Sequence, residues 1–229
     1  MGSKNKLKRF KENESFANVI QPTREELLTG SFSLKGAWQY YFGNANPIVL
    51  ELGCGKGEYT IGLARKNPNT NYIGIDIKGA RFWRGAKTAL EEDLQNVAFV
   101  RAQIELLEYA FAAKEVSEIW ITFPDPQYKF KRVHHRLTNP TFLRSYRNVL
   151  KSDGCVHLKT DSAFLHGYTL GILDGWGISP KMAHHDVYQY VHAPKEVISI
   201  QTFYEQQYRQ KNIPITYLKF SFYTDVPTT

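Results

Sequence analysis

The amino-acid sequence predicts an α/β fold, in which a doubly wound and mostly parallel sheet is covered by helices on both faces to give three layers. Two observations support this prediction. From Ile48 onward, short apolar segments alternate with amphipathic segments of helical period, and a glycine-rich loop follows the first apolar segment. A chain of 229 residues with 42% hydrophobic content can bury one substantial core. We therefore expect a single domain over residues 47–229.

The first 46 residues lack sustained strand periodicity, so we interpret residues 1–46 as a basic extension that precedes the domain. Its basic character comes from a run near the start of the chain, comprising Lys4, Lys6, Lys8, Arg9 and Lys11. A solvated tail is the interpretation we favour. Contact of these lysines with phosphates is the alternative, and the composition leaves it open.

Five apolar segments have the length of buried strands, and each is followed by a helical pattern. The predicted strands cover residues 48–52, 72–76, 97–101, 117–122 and 154–160. The predicted helices cover residues 57–66, 79–94, 104–112, 139–150 and 162–174. The fourth helix begins at Asn139-Pro140, a pair that suits an N-cap and a first helical residue. Alternating apolar residues between Ile215 and Phe222 predict one more strand, antiparallel, at the end of the sheet.

The net charge of +7 favours a polyanionic partner, although many proteins carry such a charge on an ordinary solvated surface. Cys54 and Cys155 form neither a CxxC pair nor part of a Cys/His cluster at zinc-ligand spacing. We therefore expect two reduced thiols and no bound metal. Since no apolar run in the sequence approaches the length that spans a bilayer, we expect a cytoplasmic protein without a membrane partner.

A glycine loop follows the first predicted strand directly, within the segment 50–58 that reads LELGCGKGE. Glycines at alternate positions let the backbone turn sharply and approach a ligand closely. In a doubly wound sheet this turn lies at the carboxyl edge of the strands, where ligands bind. A tight strand-to-helix turn without a ligand is the alternative. A dinucleotide-binding fingerprint would place a glycine at position 58, where this chain has Glu58.

Two acidic residues accompany this loop in the predicted fold. Glu51 precedes the glycines within the first strand, and Asp76 closes the second strand. A carboxylate at the end of that strand can accept hydrogen bonds from ribose hydroxyls. A cofactor with a ribose, a cationic sulfonium and an ammonium group, and without phosphate, suits such an acidic pocket better than NAD does. The pattern therefore predicts S-adenosylmethionine (SAM) as the cofactor.

Residues 48–160 resemble the class I SAM-dependent methyltransferases, whose fold is Rossmann-like. The resemblance rests on an acid followed by alternating glycines and on the acid that ends the second strand. It implies a cofactor site that includes Glu51, Gly53, Gly55, Gly57 and Asp76, with S-adenosylhomocysteine as the product. In that superfamily, the reacting groups lie at the carboxyl end of the fourth strand.

The loop after the fourth predicted strand holds one carboxylate between two prolines, in the segment 123–126 that reads FPDP. The prolines fix φ on both sides of Asp125 and hold its carboxylate at a defined place. Tyr128 and Phe130 are available to stack on bases. All charged side chains between Asp125 and Asp153 are basic: Lys129, Lys131, Arg132, Arg136, Arg144, Arg147 and Lys151. A solvated basic loop closed by prolines is the alternative.

This loop, with the basic stretch after it, closely resembles the bacterial tRNA (guanine-N7-)-methyltransferases, the TrmB family. Nearly the whole chain fits the family, from Phe16 to Glu205. The resemblance implies methyl transfer from SAM to N7 of guanine 46 in the tRNA variable loop. It also implies cofactor contacts at Gln103 and at Asp125, which we regard as catalytic by position and charge. The implied substrate contacts are Lys129, Lys131, Arg132, Val133, His134, His135, Arg136, Asp161, Thr202, Phe203, Tyr204 and Glu205.

Two positions depart from the family pattern. Gln127 stands where tryptophan usually follows FPDP, and Gln103 stands where Asp or Asn is usual. Structural roles are also open for two predicted substrate contacts: Asp161 suits the N-cap of the next helix, and the segment 202–205 suits a capping box. We assign no chemistry to His134 and His135 beyond a polar surface, because no ligand set accompanies them.

Three other functions are compatible with parts of this pattern. A small-molecule methyltransferase would share the glycine loop and the acids but would not need the basic stretch. A methyltransferase of an exocyclic amine usually has an (N/D)PP(Y/F) arrangement, which FPDP does not match. An RNA-binding module without catalysis would leave Glu51 and Asp76 without a purpose. We expect tRNA as the partner of a monomer or homodimer, without an obligate protein partner.

Overall fold

The computed structural model describes residues 3–222, and its centre is one sheet of eight strands. Along the chain the strands are β1 (Val19–Ile20), β2 (Ile48–Leu52), β3 (Asn71–Ile75), β4 (Val97–Val100), β5 (Val116–Thr122), β6 (Leu150–Thr160), β7 (Met182–His184) and β8 (Thr216–Phe220). Across the sheet their order is β1-β4-β3-β2-β5-β6-β8-β7. Neighbouring strands from β1 to β6 are parallel, whereas β8 is antiparallel to β6 and β7. The predicted doubly wound fold is therefore confirmed.

Helices lie on both faces of this sheet. They are α1 (Ser3–Ser15), α2 (Arg24–Thr29), α3 (Trp38–Phe42), α4 (Glu58–Lys66), α5 (Gly79–Glu91), α6 (Leu107–Ala110), α7 (Pro140–Val149), α8 (Ala163–Gly175), α9 (Lys195–Ser199) and α10 (Phe203–Gln210). Two short 3-10 helices span Ile104–Leu106 and Phe130–His135. Among the described residues, no helix is both long enough and apolar enough to cross a bilayer.

Two buried clusters divide the core between the faces of the sheet. In β2, Ile48, Leu50 and Leu52 belong to the cluster that α2, α3 and α6 to α8 cover. Val49 belongs to the other cluster, which α4, α5 and α9 cover. Successive side chains of a strand point to opposite faces, so a strand covered on both faces becomes a continuous apolar run. This is the pattern that made the parallel strands recognisable in the sequence.

Three predicted elements differ from the observed ones in their bounds, their type or their place in the sheet. Strand β6 begins at residue 150 rather than 154, because Leu150 already pairs with Val116 before an irregularity in the register. The predicted helix 104–112 is a 3-10 turn followed by the short α6. The final strand β8 is antiparallel, as predicted. It is not the last strand of the sheet, because β7 pairs with its outer side.

The segment before residue 47 is packed on the rest of the chain and is not a frayed tail, although Lys6, Lys8 and Lys11 of its basic run are exposed to solvent. Asn13 of α1 is buried and donates a hydrogen bond to the Gly79 carbonyl of α5 at 2.9 Å. Strand β1 pairs with β4, and the fully buried Trp38 of α3 donates to the Ala110 carbonyl at 3.1 Å. The predicted domain boundary between residues 46 and 47 stays a prediction. Residues 1–2 of the predicted extension and residues 223–229 of the predicted domain lie outside the described residues.

Candidate active site

Four loops with candidate site residues meet at one edge of the sheet. The glycine loop follows β2, Asp76 follows β3, the Asp125 loop follows β5, and Asp161 follows β6. These strands are parallel neighbours in the order β3-β2-β5-β6, so their carboxyl ends lie side by side. Ligands of doubly wound proteins bind at this edge. The structure therefore brings together the residues that the sequence places after separate strands.

The glycine loop needs its glycines for two different reasons. Gly53, Gly55 and Gly57 have φ values of 71°, 57° and 74°, in the left-handed region that favours glycine. At position 57 a Cβ would also lie 2.6 Å from the Phe99 ring and 3.3 Å from Gly85 of α5. Gly57 is thus fixed by packing as well as by conformation. At Gly53 and Gly55 a Cβ would meet nothing closer than 3.6 Å, so these positions leave room for a ligand.

Asp76 holds the glycine loop against the end of β3. Its Oδ2 accepts a hydrogen bond from the Gly55 amide at 3.1 Å, and its Oδ1 accepts one from the Lys78 amide at 2.8 Å. Each carboxylate oxygen has two lone pairs, so one acceptor site on each remains for a ligand. The adjacent Ile77 is an apolar side chain that is 48% exposed. An acceptor and an apolar surface therefore stand together beside the loop.

Glu51 is bonded inside the protein rather than exposed at the mouth of the site. Its Oε1 accepts from the Thr122 hydroxyl at 2.6 Å, and its Oε2 accepts from the Thr60 amide at 2.8 Å and from the Thr60 hydroxyl. Burial raises the pKa of this carboxyl to about 7, although the threonine hydrogen bonds oppose the shift. Glu51 thereby connects β2 to α4 and β5. A contact between Glu51 and the cofactor stays a prediction.

Gln103 lies on the loop after β4 and contacts the segment before residue 47. Its Oε1 accepts a hydrogen bond from Nη1 of Arg24 at 2.5 Å. Arg24 is the first residue of α2, and the two residues are 79 positions apart in the chain. Nothing in the sequence indicates this contact. The predicted cofactor contact of Gln103 stays a prediction.

The Asp125 loop is held in an unusual backbone conformation. Phe123 and Gln127, on either side of the two prolines, both have a φ of 47°. Such a conformation costs a residue other than glycine about 1–3 kcal/mol, and it persists only where surrounding contacts enforce it. The Phe123 amide donates to the Lys159 carbonyl of β6 at 2.8 Å. The backbone amide of Gln127 donates to Asp125 Oδ1 at 3.0 Å, and the Asp125 side chain is exposed.

An open groove of 460 Å³ adjoins Asp125, and basic side chains line it. Lys129, Lys131 and Arg132 contribute to its wall and are exposed to solvent. The 3-10 helix 130–135 that follows also exposes His134 and His135, whereas Val133 is half-buried. Phe130 is 90% exposed. The predicted basic, aromatic surface beside Asp125 is therefore present in the fold.

Arg136 differs from the other basic residues of this stretch, because it is buried. Its Nε lies 3.2 Å from the Gln127 carbonyl oxygen and 3.3 Å from that of Pro126, and its Nη2 donates to Gln127 at 3.1 Å. The guanidinium also packs against the rings of Phe164 and Tyr168 in α8. These partners hold the guanidinium against the protein, and its predicted substrate contact stays a prediction.

Asp161 is half-buried at the end of β6, and this burial raises the pKa of its carboxyl. The N-cap of α8 is the next residue, Ser162, whose Oγ accepts from the Leu165 amide at 3.2 Å. The interpretation of Asp161 as that N-cap is therefore wrong by one position. Its predicted contact with the substrate stays a prediction.

The segment 202–205 forms the predicted capping box. The Thr202 hydroxyl accepts from the Glu205 amide at 3.2 Å, and the Thr202 amide donates to Glu205 Oε2 at 3.4 Å. Thr202 and Glu205 are both buried, and the exposed side chains of the segment are Phe203 and Tyr204. The Phe203 amide donates to Glu58 at 3.1 Å, so this segment adjoins the glycine loop and α4. Direct substrate contact of the four residues stays a prediction.

Lys159 is a buried cation that no sequence motif marks as a site residue. Its Nζ lies 2.7 Å from Glu205 Oε1 and donates to the carbonyl oxygens of Val197 and Ile200. Burial lowers the pKa of this lysine, while the charge of Glu205 opposes the shift. Since the Lys159 carbonyl also accepts from Phe123, the residue links the capping box to the Asp125 loop. Its only sequence signal is a lysine within a largely apolar strand.

One group of potential metal ligands occurs within residues 3–222. It lies within two strands and not at their carboxyl ends, where the candidate site is. The ligand atoms of Glu118, Cys155 and His157 lie within 4.8 Å of one another on β5 and β6. His157 Nε2 is 3.2 Å from Glu118 Oε2, and burial lowers the pKa of the histidine. The sequence spacing gave no sign of this group. The expectation that no metal binds stays a prediction.

Comparison with known proteins identifies the family. Residues 45–218 match the family model described as "Putative methyltransferase". A tRNA (guanine-N(7)-)-methyltransferase from Christiangramia forsetii is 69% identical over 96% of this chain and 99% of its own length. Relatives of the same name from Porphyromonas gingivalis and Bacteroides thetaiotaomicron are 50% and 45% identical, over 90% and 95% of this chain and 85% of each relative. The chain belongs to the bacterial tRNA (guanine-N7-)-methyltransferase family.

Family membership confirms the resemblance that the FPDP turn and the basic stretch predict. Solved structures of other methyltransferases show the same fold at low sequence identity. The 16S rRNA methyltransferase KamB has a TM-score of 0.63 at 15% identity, with 82% of this chain and 94% of that chain covered. A structure described as an antibiotic related methyltransferase has a TM-score of 0.59 at 18% identity, over 91% and 98%. These two matches support the fold and carry no information about the substrate.

Proposed function

We propose that the protein transfers the methyl group of SAM to N7 of guanine 46 in the variable loop of tRNA. The observation that carries the proposal is the meeting of two surfaces at one edge of the sheet. Asp76 and the glycine loop offer a cofactor site, and the exposed Asp125 stands beside a groove with basic walls. The family relatives named tRNA (guanine-N(7)-)-methyltransferase support this assignment.

The residues around the glycine loop fit SAM. Asp76 keeps unused acceptor sites for ribose hydroxyls, Ile77 offers an apolar contact, and Gly53 and Gly55 carry no side chain that would block a ligand. A charged acceptor suits ribose, whereas it would repel a phosphate at the same place. SAM supplies a methyl group on a cationic sulfur. The protein's own task is to hold that group facing the substrate groove.

The substrate side fits a guanine displaced from a folded RNA. Lys129, Lys131 and Arg132 are exposed along the groove and can contact phosphates. Tyr128 and Phe130, which are 65% and 90% exposed, can stack on bases that have left the RNA helix. A site for a small neutral substrate would need neither feature. We therefore infer a polyanionic substrate with an accessible base.

Catalysis by this site rests on alignment and charge rather than on proton removal. Guanine N7 presents a lone pair in the plane of the ring, so no base is needed before attack. Holding the two reactants in line converts binding energy into rate. The purine becomes cationic during transfer, and the Asp125 carboxylate can offset this charge while it accepts a hydrogen bond from the Watson-Crick edge. Asp125 is thus catalytic through position and charge.

Isotopically labelled SAM, incubated with the protein and bulk tRNA, tests the proposed activity. Digestion of the tRNA to nucleosides should place the label in 7-methylguanosine. Label in another methylated nucleoside, or transfer to a small molecule in a cell extract instead of tRNA, would contradict the proposed substrate.

Cofactor binding is tested separately with Asp76→Asn, which keeps one carbonyl acceptor and removes the charge. We expect SAM affinity to fall about ten- to a hundredfold, since a hydrogen bond to a charged group is worth roughly 1.5–3 kcal/mol. Titration calorimetry measures this change directly. Asp174→Asn, on an exposed acid in α8, is the matched control. Wild-type affinity in Asp76→Asn would show that the ribose binds elsewhere.

A further inference from the structure

Arg136 has contacts that set it apart from the basic surface around it. It is 6% exposed, although the stretch to which it belongs is otherwise largely exposed. Both of its bonding nitrogens point at the Asp125 loop, with Nε 3.2 Å and Nη2 3.1 Å from the Gln127 carbonyl oxygen. Nε also lies 3.3 Å from the Pro126 carbonyl oxygen. The side chain therefore bonds to the backbone that carries Asp125.

The guanidinium is also held by two aromatic rings of α8. Its central carbon lies 4.7 Å from the ring centroid of Phe164 and 4.4 Å from that of Tyr168. Cations are attracted to the faces of aromatic rings, most strongly where water is excluded. The start of α8 is itself fixed by the Ser162 N-cap directly after β6. Arg136 thus connects the Asp125 loop to a rigid helix.

The Asp125 loop has few means of holding its own shape. Pro124 and Pro126 have no amide hydrogen, so the loop lacks two of its backbone donors. Phe123 and Gln127 adopt a conformation that favours glycine, with φ at 47°. Gln127 donates its amide to Asp125 and accepts from Arg136 at its carbonyl. A chain of two hydrogen bonds therefore runs from the buried guanidinium to the Asp125 carboxylate.

We propose that Arg136 is a positioning residue, which orients Asp125 through Gln127 and does not contact tRNA. The inference rests on the proposed function, because it concerns the rate of methyl transfer at Asp125. Lysine cannot replace Arg136 in this role. An ammonium group is a compact point charge, whereas the planar guanidinium reaches adjacent carbonyls in a fixed geometry while it packs against the two rings.

Arg136→Lys distinguishes positioning from RNA binding. At saturating tRNA and SAM, the single-turnover rate should fall about ten- to a hundredfold, as expected when a reacting group is misplaced by about 1 Å. The dissociation constant for tRNA and its dependence on salt should not change. Lys131→Ala, on an exposed neighbour, should behave in the opposite way. It should weaken tRNA binding and flatten the log-log salt slope by about 0.7–0.9.

Tyr168→Leu is a second variant, because it removes one supporting ring without altering the loop or the charge. It should also lower the single-turnover rate and leave tRNA affinity unchanged, while SAM affinity by calorimetry shows that the site is folded. A wild-type rate in both variants would overturn the proposal. So would a loss of tRNA affinity with a flatter salt slope in Arg136→Lys. Failure of the wild-type protein to methylate tRNA would instead overturn the proposed function, so the two failures are distinguishable.

Discussion

At the scale of single residues, Glu51, Asp76 and Asp125 differ in how much of each carboxylate is left for a ligand. Glu51 is 3% exposed and accepts three hydrogen bonds from threonines. Asp76 is 8% exposed and accepts two from backbone amides. Asp125 is exposed and accepts one, from Gln127. This gradient favours Asp125 for contact with the substrate and Glu51 for a supporting role.

We expect Asp125→Asn to remove most methyl transfer while the fold and tRNA affinity remain. The amide keeps the shape of the side chain but cannot offset the positive charge that develops on guanine. Loss of one electrostatic contact of this kind costs about a hundred- to a thousandfold in rate. Single-turnover kinetics at saturating tRNA and SAM measure this change, and Asp153→Asn, on an exposed acid of β6, is the control. A near wild-type rate would exclude Asp125 from the active site.

The raised pKa of Glu51 predicts how stability depends on pH. Burial moves this pKa from 4.5 to about 7, so the folded state binds the proton more tightly than the unfolded state does. The contribution of Glu51 to stability is therefore largest below pH 4.5 and declines as the pH rises to about 7. The decline amounts to about 3 kcal/mol, since each pKa unit corresponds to about 1.4 kcal/mol.

Glu51→Gln should lack this decline, because glutamine resembles the protonated carboxyl and does not titrate. Urea denaturation at several pH values gives the difference in unfolding free energy between the two proteins. That difference should shift in favour of the variant between pH 5 and pH 8 and then remain constant. A difference independent of pH over this range would mean that Glu51 titrates normally.

At the scale of elements, the long strands and the capped helices are predictable because their sequence signals are local. The predicted N-cap Asn139 accepts hydrogen bonds from the Thr141 and Phe142 amides at 2.8 and 3.2 Å. Strands β1 and β7, of two and three residues, are too short to show a period of two. Helix α1 presents few apolar residues, and polar contacts attach it to α5: the Asn13 side chain donates to the Gly79 carbonyl, and Trp83 Nε1 donates to Glu12. Such an element is visible only once its partner is in place.

The same limit applies to the site. The glycine loop and the FPDP turn could be predicted, because glycine and proline constrain the backbone wherever they occur. The burial of Arg136 could not, since it resembles an ordinary surface cation in the sequence, and only the place of Lys159 in a largely apolar strand indicates that it is buried. Their partners, the rings of α8 and the carboxylate of Glu205, come from distant parts of the chain. Tertiary contacts alone distinguish Arg136 from the exposed basic residues that precede it in the chain.

The basic loop after Asp125 should govern the salt dependence of tRNA binding. If its exposed cations contact phosphates, replacing Lys129, Lys131 and Arg132 together by Ala should flatten the log-log salt slope by roughly two to three, at about 0.7–0.9 per contact. SAM affinity should hardly change. Filter binding of tRNA across a range of salt concentrations provides the slope.

A control with the same change in net charge replaces three exposed lysines outside the loop, Lys35, Lys181 and Lys195. Its salt slope should remain close to that of the wild type. If the two triple variants show the same slope, the effect comes from net charge, and tRNA does not bind specifically at this loop.

At the scale of the whole molecule, the candidate site lies at one edge of the sheet, where the parallel strands end. Asp76, the glycine loop, Asp125 and the capping box all lie at or beside the carboxyl ends of strands. The segment before residue 47 supports this edge, because Arg24 bonds Gln103 and α1 packs on α5. The site thus combines residues from nearly the full length of the described chain. This explains why sequence motifs locate the site, while its assembly requires the fold.

Methyl transfer to a tRNA transcript that carries 7-deazaguanine at position 46 tests the central claim most directly. This base keeps the shape and the Watson-Crick edge of guanine, but a carbon replaces N7. We expect the protein to bind the modified transcript with about the affinity of the unmodified one and to transfer no label from SAM, whereas the unmodified transcript should gain one 7-methylguanosine. Transfer of label to the modified transcript at the rate of the unmodified one would contradict methylation at N7 of guanine 46.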